Sequence, residues 1–152
     1  MKGVVSLNLP QLGILAKGDE EKFWELLEDR LELCFEALMC RHHALHNVIS
    51  DTSPVHWQYG AIARLKKGET IEKYLHDGYS TISLGYIGLY ELTKLVKGVS
   101  HTEPEGTEFA LRVMKSLREH CEKWKKETGL GFGLYGTPAE SLCYRFARVD
   151  KA

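Results

Sequence analysis

The sequence has little net charge. Its formal charge is −1 with histidines neutral, so there is no global electrostatic case for DNA, RNA or a lipid surface as a partner. It has no apolar run near the roughly 18 residues of a membrane helix, and no basic-then-apolar leader at its start. It has four cysteines, none in a C-x-x-C pair, at spacings that suit neither a zinc knuckle nor a disulfide framework. Cys34, Cys121 and Cys143 fall on apolar helical stripes. The expectation is reduced, buried, structural thiols in a cytoplasmic protein. What remains is globular: 152 residues, 27% charged and 43% hydrophobic, enough for one ordinary domain.

Met1 to Pro10 reads as a strand, with Val5, Leu7 and Leu9 on one face and Val4, Ser6 and Asn8 on the other. Pro10 is expected to end it. A strand with no preceding turn looks like the middle of something. Asp19 caps a long helix from Glu20 to His46. Phe23, Leu27, Leu31, Cys34, Leu38 and Leu45 form its core stripe. His42 and His46, four apart in its last turns, could share a metal. However, the sequence places no carboxylate or third ligand beside them, and cations suit a helix C-terminus in any case. No metal site is expected here.

Asn47 to Leu65 is ambiguous between loop and short strand. A short helix from Glu69 to His76, with Ile71, Tyr74 and Leu75 inward, stops at Asp77-Gly78. Ser80 to Ile87 is a second strand, with Ile82, Leu84 and Tyr86 on its bulky face and Thr81, Ser83 and Gly85 on a small one. Gly88 opens a helix that buries Leu92, Leu95 and Val96 and closes at Gly98. Glu108 to Thr128 is a strong amphipathic helix with Gly129 as its C-cap. Gly131 to Tyr135 is a third strand. Gly136 breaks it, Thr137 is placed to cap a helix, Pro138 suits the first helical position, and Glu140 completes a capping-box spacing. Leu142, Phe146 and Val149 continue as one stripe. Such a helix start after a strand is a natural anion pocket, although a capped helix that binds nothing accounts for the same residues.

Helices between strands imply parallel pairing. Each strand pairs a bulky apolar face with a small or polar one. A doubly wound sheet should be apolar on both faces. The pattern therefore suggests an α/β barrel with helices outside and a lined cavity within. Three strands cannot close a barrel, so the chain is expected to be incomplete.

Four strings, in order and at matching spacing, carry a resemblance: residues 3–10 (GVVSLNLP), 80–88 (STISLGYIG), 124–132 (WKKETGLGF) and 134–143 (LYGTPAESLC). Together they resemble the catalytic chain of the anaerobic (class III) ribonucleotide reductases, over essentially the whole sequence. The resemblance implies that residues 1–152 are a single segment, about three strand–helix units, of a ten-stranded glycyl-radical-enzyme barrel. It implies an oxygen-sensitive enzyme that reduces ribonucleoside triphosphates to deoxyribonucleotides. In that family a glycyl radical, made by a radical-SAM activase, acts through a cysteine inside the barrel.

The resemblance also assigns residues. Asn8 matches an asparagine that faces the substrate ribose, making it the catalytic candidate, and Ser6 shares its face. Thr137, Pro138, Ala139, Glu140 and Ser141 match a turn and helix start that resemble the family's substrate-phosphate cradle. Thr81, Ser83 and Gly85 would line the cavity. The family's radical cysteine is expected upstream of the first strand, and its glycyl-radical segment and four-cysteine zinc site downstream of this stretch. An ATP-binding regulatory domain is likewise not expected in it. No cofactor is therefore expected within the chain, and none of Cys34, Cys40, Cys121 or Cys143 is taken for the radical carrier. The expected partners are a ribonucleoside triphosphate, the remaining segments of the reductase, the activase, and a second copy in a homodimer. The isolated chain is expected to be inactive. A stand-alone nucleotide- or phosphate-binding α/β module and a structural remnant are the competing readings.

Overall fold

A computed structural model describes residues 2–139 and 141–151. Three strands, β1 (Gly3–Asn8), β2 (Thr81–Ile87) and β3 (Gly131–Gly136), form one parallel sheet in the order β1-β2-β3. The register aligns Ser6 with Gly85, and Gly85 with Tyr135. Parallel pairing follows from the long helical crossovers, as the sequence pattern implies.

Each strand runs into a helix at its carboxyl end. β1 passes directly into α1 (Leu9–Ala16), β2 through Gly88 into α4 (Leu89–Lys97), and β3 through a short turn into α6 (Leu142–Asp150). The helix α1 corrects the sequence reading. Pro10 does not merely end the strand; it sits in the first turn of a helix, where its missing N–H costs nothing. Between these units run α2 (Glu20–His43) and α5 (Pro104–Thr128). Asp19 caps α2 through the Lys22 N–H, and Gly129, at φ 70°, closes α5.

The core lies on the bulky face of the sheet. α2 packs on β1 and β2, and α5 packs on β3. Leu7, Ile82, Leu84 and Phe132 meet Phe23, Leu27, Leu31 and Leu38 of α2 and Val113, Leu117 and Trp124 of α5. Phe35 of α2 stacks on Trp124 at 5.2 Å between centroids. This is the alternation read from the strands. The helices depart from the expected stripes at two places: Leu45 lies past the end of α2 and packs away from this core, and Leu95 of α4 is exposed while Thr93 is buried instead. Thr93 satisfies its hydroxyl on the Leu89 carbonyl at 2.8 Å.

Residues 44–79 leave the sheet and form a separate small cluster. Ala63, Leu65, Ile71 and Leu75 are buried there, with Leu45, Val48, Trp57 and Tyr74 packed against them. Regular structure is sparse. It consists of single 3₁₀ turns at Ser50–Thr52 and Glu72–Tyr74 and a four-residue helix, α3 (Pro54–Trp57). The expected helix from Glu69 to His76 is thus only one turn. α2 also ends at His43, three residues short of the expected bound.

The cysteines divide. Cys34 and Cys121 are buried, whereas Cys40 and Cys143 are exposed, so the expectation of buried thiols fails for Cys40 and Cys143, and with it the core role expected of Cys143. α6 buries none of its residues fully. Burial pushes the Cys34 and Cys121 thiols up to about 11. Since the thiolate is the nucleophile, alkylation of the folded chain at pH 8, read by mass spectrometry, should modify Cys40 and Cys143 and spare Cys34 and Cys121 until denaturant is added. Equal modification of all four would contradict this packing.

Candidate functional site at the carboxyl rim of the sheet

In open parallel sheets, ligands bind beyond the carboxyl ends of the strands. Here that rim carries a hollow of about 530 Å³. Asn8 from the end of β1, Tyr86, Ile87 and Gly88 from the end of β2, and Gly136, Thr137 and Ala139 after β3 line it. α6 closes one side with Cys143, Phe146 and Asp150, and Glu91 of α4 faces in as well.

Asn8 does two things. Its Oδ1 accepts from the Gln11 N–H at 3.4 Å and caps α1. Its Nδ2 donates to Asp150 Oδ2 at 2.9 Å, and Gln11 Nε2 donates to Asp150 Oδ1 at 2.8 Å. The last residue of α6 is thereby held across the mouth of β1. A side-chain amide at a strand–helix junction is fixed by its own cap bond and, with one N–H engaged by Asp150, keeps a second N–H to donate.

The turn after β3 departs from the sequence expectation. Thr137 is not the N-cap of α6. Its backbone N–H donates to the Tyr86 carbonyl at 3.2 Å, extending the strand ladder by one residue. Its hydroxyl meets Ser6 Oγ at 2.9 Å. The helix begins at Leu142, and Ser141 occupies the cap position without a side-chain cap bond. The Arg145 N–H donates to the Ser141 carbonyl at 3.2 Å, and the turn before it is closed by the Cys143 N–H on the Ala139 carbonyl at 3.2 Å. Thr137 therefore does not cap α6, because the strand ladder takes its N–H first. The other expected member of the capping box, Glu140, lies outside the described residues.

The Ser6–Thr137 bond crosses β2 directly above Gly85. A Cβ at Gly85 would stand 2.4 Å from Thr137 Oγ1 and 2.6 Å from Ser6 Oγ. Only glycine leaves room for the two hydroxyls to meet. Gly88 is constrained as well, by a φ of 77° and by Pro10, whose Cγ would lie 2.2 Å from an added Cβ.

Of the expected site residues, then, Asn8, Thr137 and Ala139 share one hollow. Ser6 bonds Thr137 and lines the adjoining groove with Asn8, Gln11, Arg145 and Phe146. Pro138 and Ser141 stand on the turn but do not line the hollow. Thr81 is exposed, and Ser83 and Gly85 are buried beneath the rim. Sequence reading missed Gln11, Tyr86, Gly88, Glu91 and Asp150. Gly88, between an apolar strand and a helix, was the one legible signal; the carboxylates had none, since their approach depends on how α4 and α6 dock.

Comparison with known proteins decides the family. The family model described as anaerobic ribonucleoside-triphosphate reductase matches residues 2–152. The chain belongs to the anaerobic ribonucleoside-triphosphate reductase family. Reductases of that name from Salmonella typhimurium and Enterobacteria phage T4 are 42% and 41% identical to it, over 99% and 97% of this chain. The chain spans only 22% and 24% of those relatives. A solved structure of the anaerobic ribonucleotide reductase from Thermotoga maritima, with dATP bound in the specificity site, superposes with a TM-score of 0.77 at 23% identity, covering 97% of this chain and 24% of that one. At that identity the likeness shows the fold alone. The reductase family's expected four-cysteine zinc set does not fit this segment: Cys34 and Cys121 are in the core, and no cysteine joins a ligand cluster among the described residues.

The Ser6–Thr137 contact gives a direct test of the rim. Ser6→Ala and Thr137→Val should each destabilise the chain in urea, with a coupling energy of about 0.5–1.5 kcal/mol in the double variant. Additive single effects would show that the bond contributes nothing.

Proposed function

We propose that this segment supplies part of the substrate-binding wall of an anaerobic ribonucleoside-triphosphate reductase, reducing ribonucleoside triphosphates to deoxyribonucleoside triphosphates as part of a ten-stranded barrel. One observation supports the reading above the others. Asn8 and the Thr137 turn, assigned separately to ribose and phosphate, open onto one hollow at the carboxyl rim. In this reading the Asn8 amide donates to a ribose hydroxyl, taking up the position now filled by the Asp150 carboxylate. The backbone N–H groups around Ala139 and Ser141, at the positive end of α6, receive a phosphate. Glu91 and Asp150 make the hollow itself acidic. The backbone and Arg145 in the adjoining groove must therefore carry the anion. Ser6, Thr137, Pro138 and, on sequence grounds, Glu140 shape the cradle.

The glycyl radical and the cysteine it acts through belong, in this reading, to other parts of the reductase, as does the zinc site. The radical supplies the hydrogen abstraction that starts reduction; this segment binds and orients the ribose. The radical-SAM activase, a second copy of the complete chain and the cytoplasm as compartment complete the proposal. No helix among the described residues is long and apolar enough to cross a membrane.

The test uses the complete, anaerobically activated reductase that contains this segment. Asn8→Ala should lower kcat by at least about tenfold with little change in KM. Asn8→Asp, which keeps an acceptor for the α1 cap but loses the donor pair, should show the same fall. If Asn8→Asp turned over normally, the residue would be a helix cap and nothing more.

A further inference from the structure

The stretch from 44 to 79 lies away from the rim, and the function above makes no use of it. It holds a cluster of imidazoles and one carboxylate. His46, just past the end of α2, places Nδ1 2.7 Å from Glu72 Oε1. His76, one turn after Glu72, places Nε2 3.0 Å from the same oxygen. All the ligating atoms of these three residues fall within 4.8 Å of one another. We propose that His46, Glu72 and His76 form a zinc-class divalent cation site that clasps the 44–79 excursion to the end of α2.

The chemistry of the donor set fits. Two imidazole nitrogens and one carboxylate oxygen are a recognised three-ligand zinc set that leaves one position for water. Bonds of about 2.0–2.1 Å set donors about 3.3 Å apart around a tetrahedral ion, near the 2.7 and 3.0 Å that separate Glu72 Oε1 from the two histidines. His46 and His76 are part-exposed, so an ion has an entry path. Glu72 carries a second, independent sign. Its Oε2 is shielded from solvent with no hydrogen bond of good geometry among the described residues, although the side chain as a whole is 39% exposed and the Asn47 backbone N–H also faces the carboxylate. A buried carboxylate oxygen left unpaired is costly, and a carboxylate that swings to hold a cation in both oxygens removes that cost.

Other charged groups border the cluster. His42 packs edge-on against both ligating rings, at 4.9 Å from His46 and 5.5 Å from His76. His43 lies 5.8 Å from His46. Lys2 reaches His42 Nδ1 at 3.2 Å and the Leu75 carbonyl. Lys2 opposes a cation, but it is directed to His42 and Leu75 rather than to Glu72 Oε1. The location gives the site a purpose. The excursion has a core of only four buried residues and single helical turns. Small cores of this kind are where a metal adds most to stability.

The probe is Zn(II) alone, titrated by calorimetry into the chelator-treated full chain carrying Cys40→Ser and Cys143→Ser, which removes the exposed thiols. One ion per chain should bind. Hydrogen exchange should slow across 44–79 and not in the sheet. Glu72→Gln and a His46→Ala/His76→Ala double variant should each weaken binding at least tenfold while keeping the helical circular dichroism. Should those variants unfold, the same background chain decides the matter. Zn(II) should protect His46 and His76 from carbethoxylation, and Co(II) should give a tetrahedral spectrum without a sulfur band. No stoichiometric binding, unaltered binding in the double variant, or unprotected histidines would overturn the site.

Discussion

A glycine on the middle strand governs the rim. β2 lies between β1 and β3, and any side chain at Gly85 would push Ser6 and Thr137 apart. Because it has none, hydroxyls from either side of the sheet meet across it at 2.9 Å. That contact ties the turn after β3 back to β1, and so sets where α6 starts. Gly88 acts similarly one residue past the strand, letting α4 leave beside Pro10. The hollow is a consequence of three strands stopping level with one another, β1 and β2 handing over at once to helices and β3 through a short turn.

The two faces of the sheet divide the work. The bulky face is committed to α2 and α5 and carries the stability of the chain. The small face and the rim carry polar groups that are satisfied by one another: Ser6 with Thr137, and Asn8 and Gln11 with Asp150. Polar groups paired only among themselves, beside a hollow, can exchange partners with a ligand at little cost in hydrogen bonding. α6, with none of its residues fully buried, is the element best able to accommodate such an exchange.

Much of this was legible in the residues. Strand alternation identified the core face, the helices between strands implied parallel pairing, the Asp19 and Gly129 caps were readable, and four strings pointed to the family. The misses have physical reasons. Local propensity made Thr137 a cap, but a neighbouring strand offered its N–H a ladder bond and its hydroxyl a partner from 131 residues away. Asn8 read as a strand residue because its capping role depends on α1, which Pro10 disguised. The carboxylates Glu91 and Asp150, and the approach of His46 to Glu72, arise from docking. Only the Glu72–His76 pair, four residues apart, has a spacing that the chain encodes.

The central claim is that the carboxyl rim of this sheet receives the ribonucleotide. The most direct measurement is a structure of the complete reductase containing this segment, with a ribonucleoside triphosphate bound. The account predicts a ribose hydroxyl within hydrogen-bonding distance of the Asn8 amide and a phosphate on the backbone between Thr137 and Leu142. A substrate bound with both groups beyond reach of this rim would contradict it.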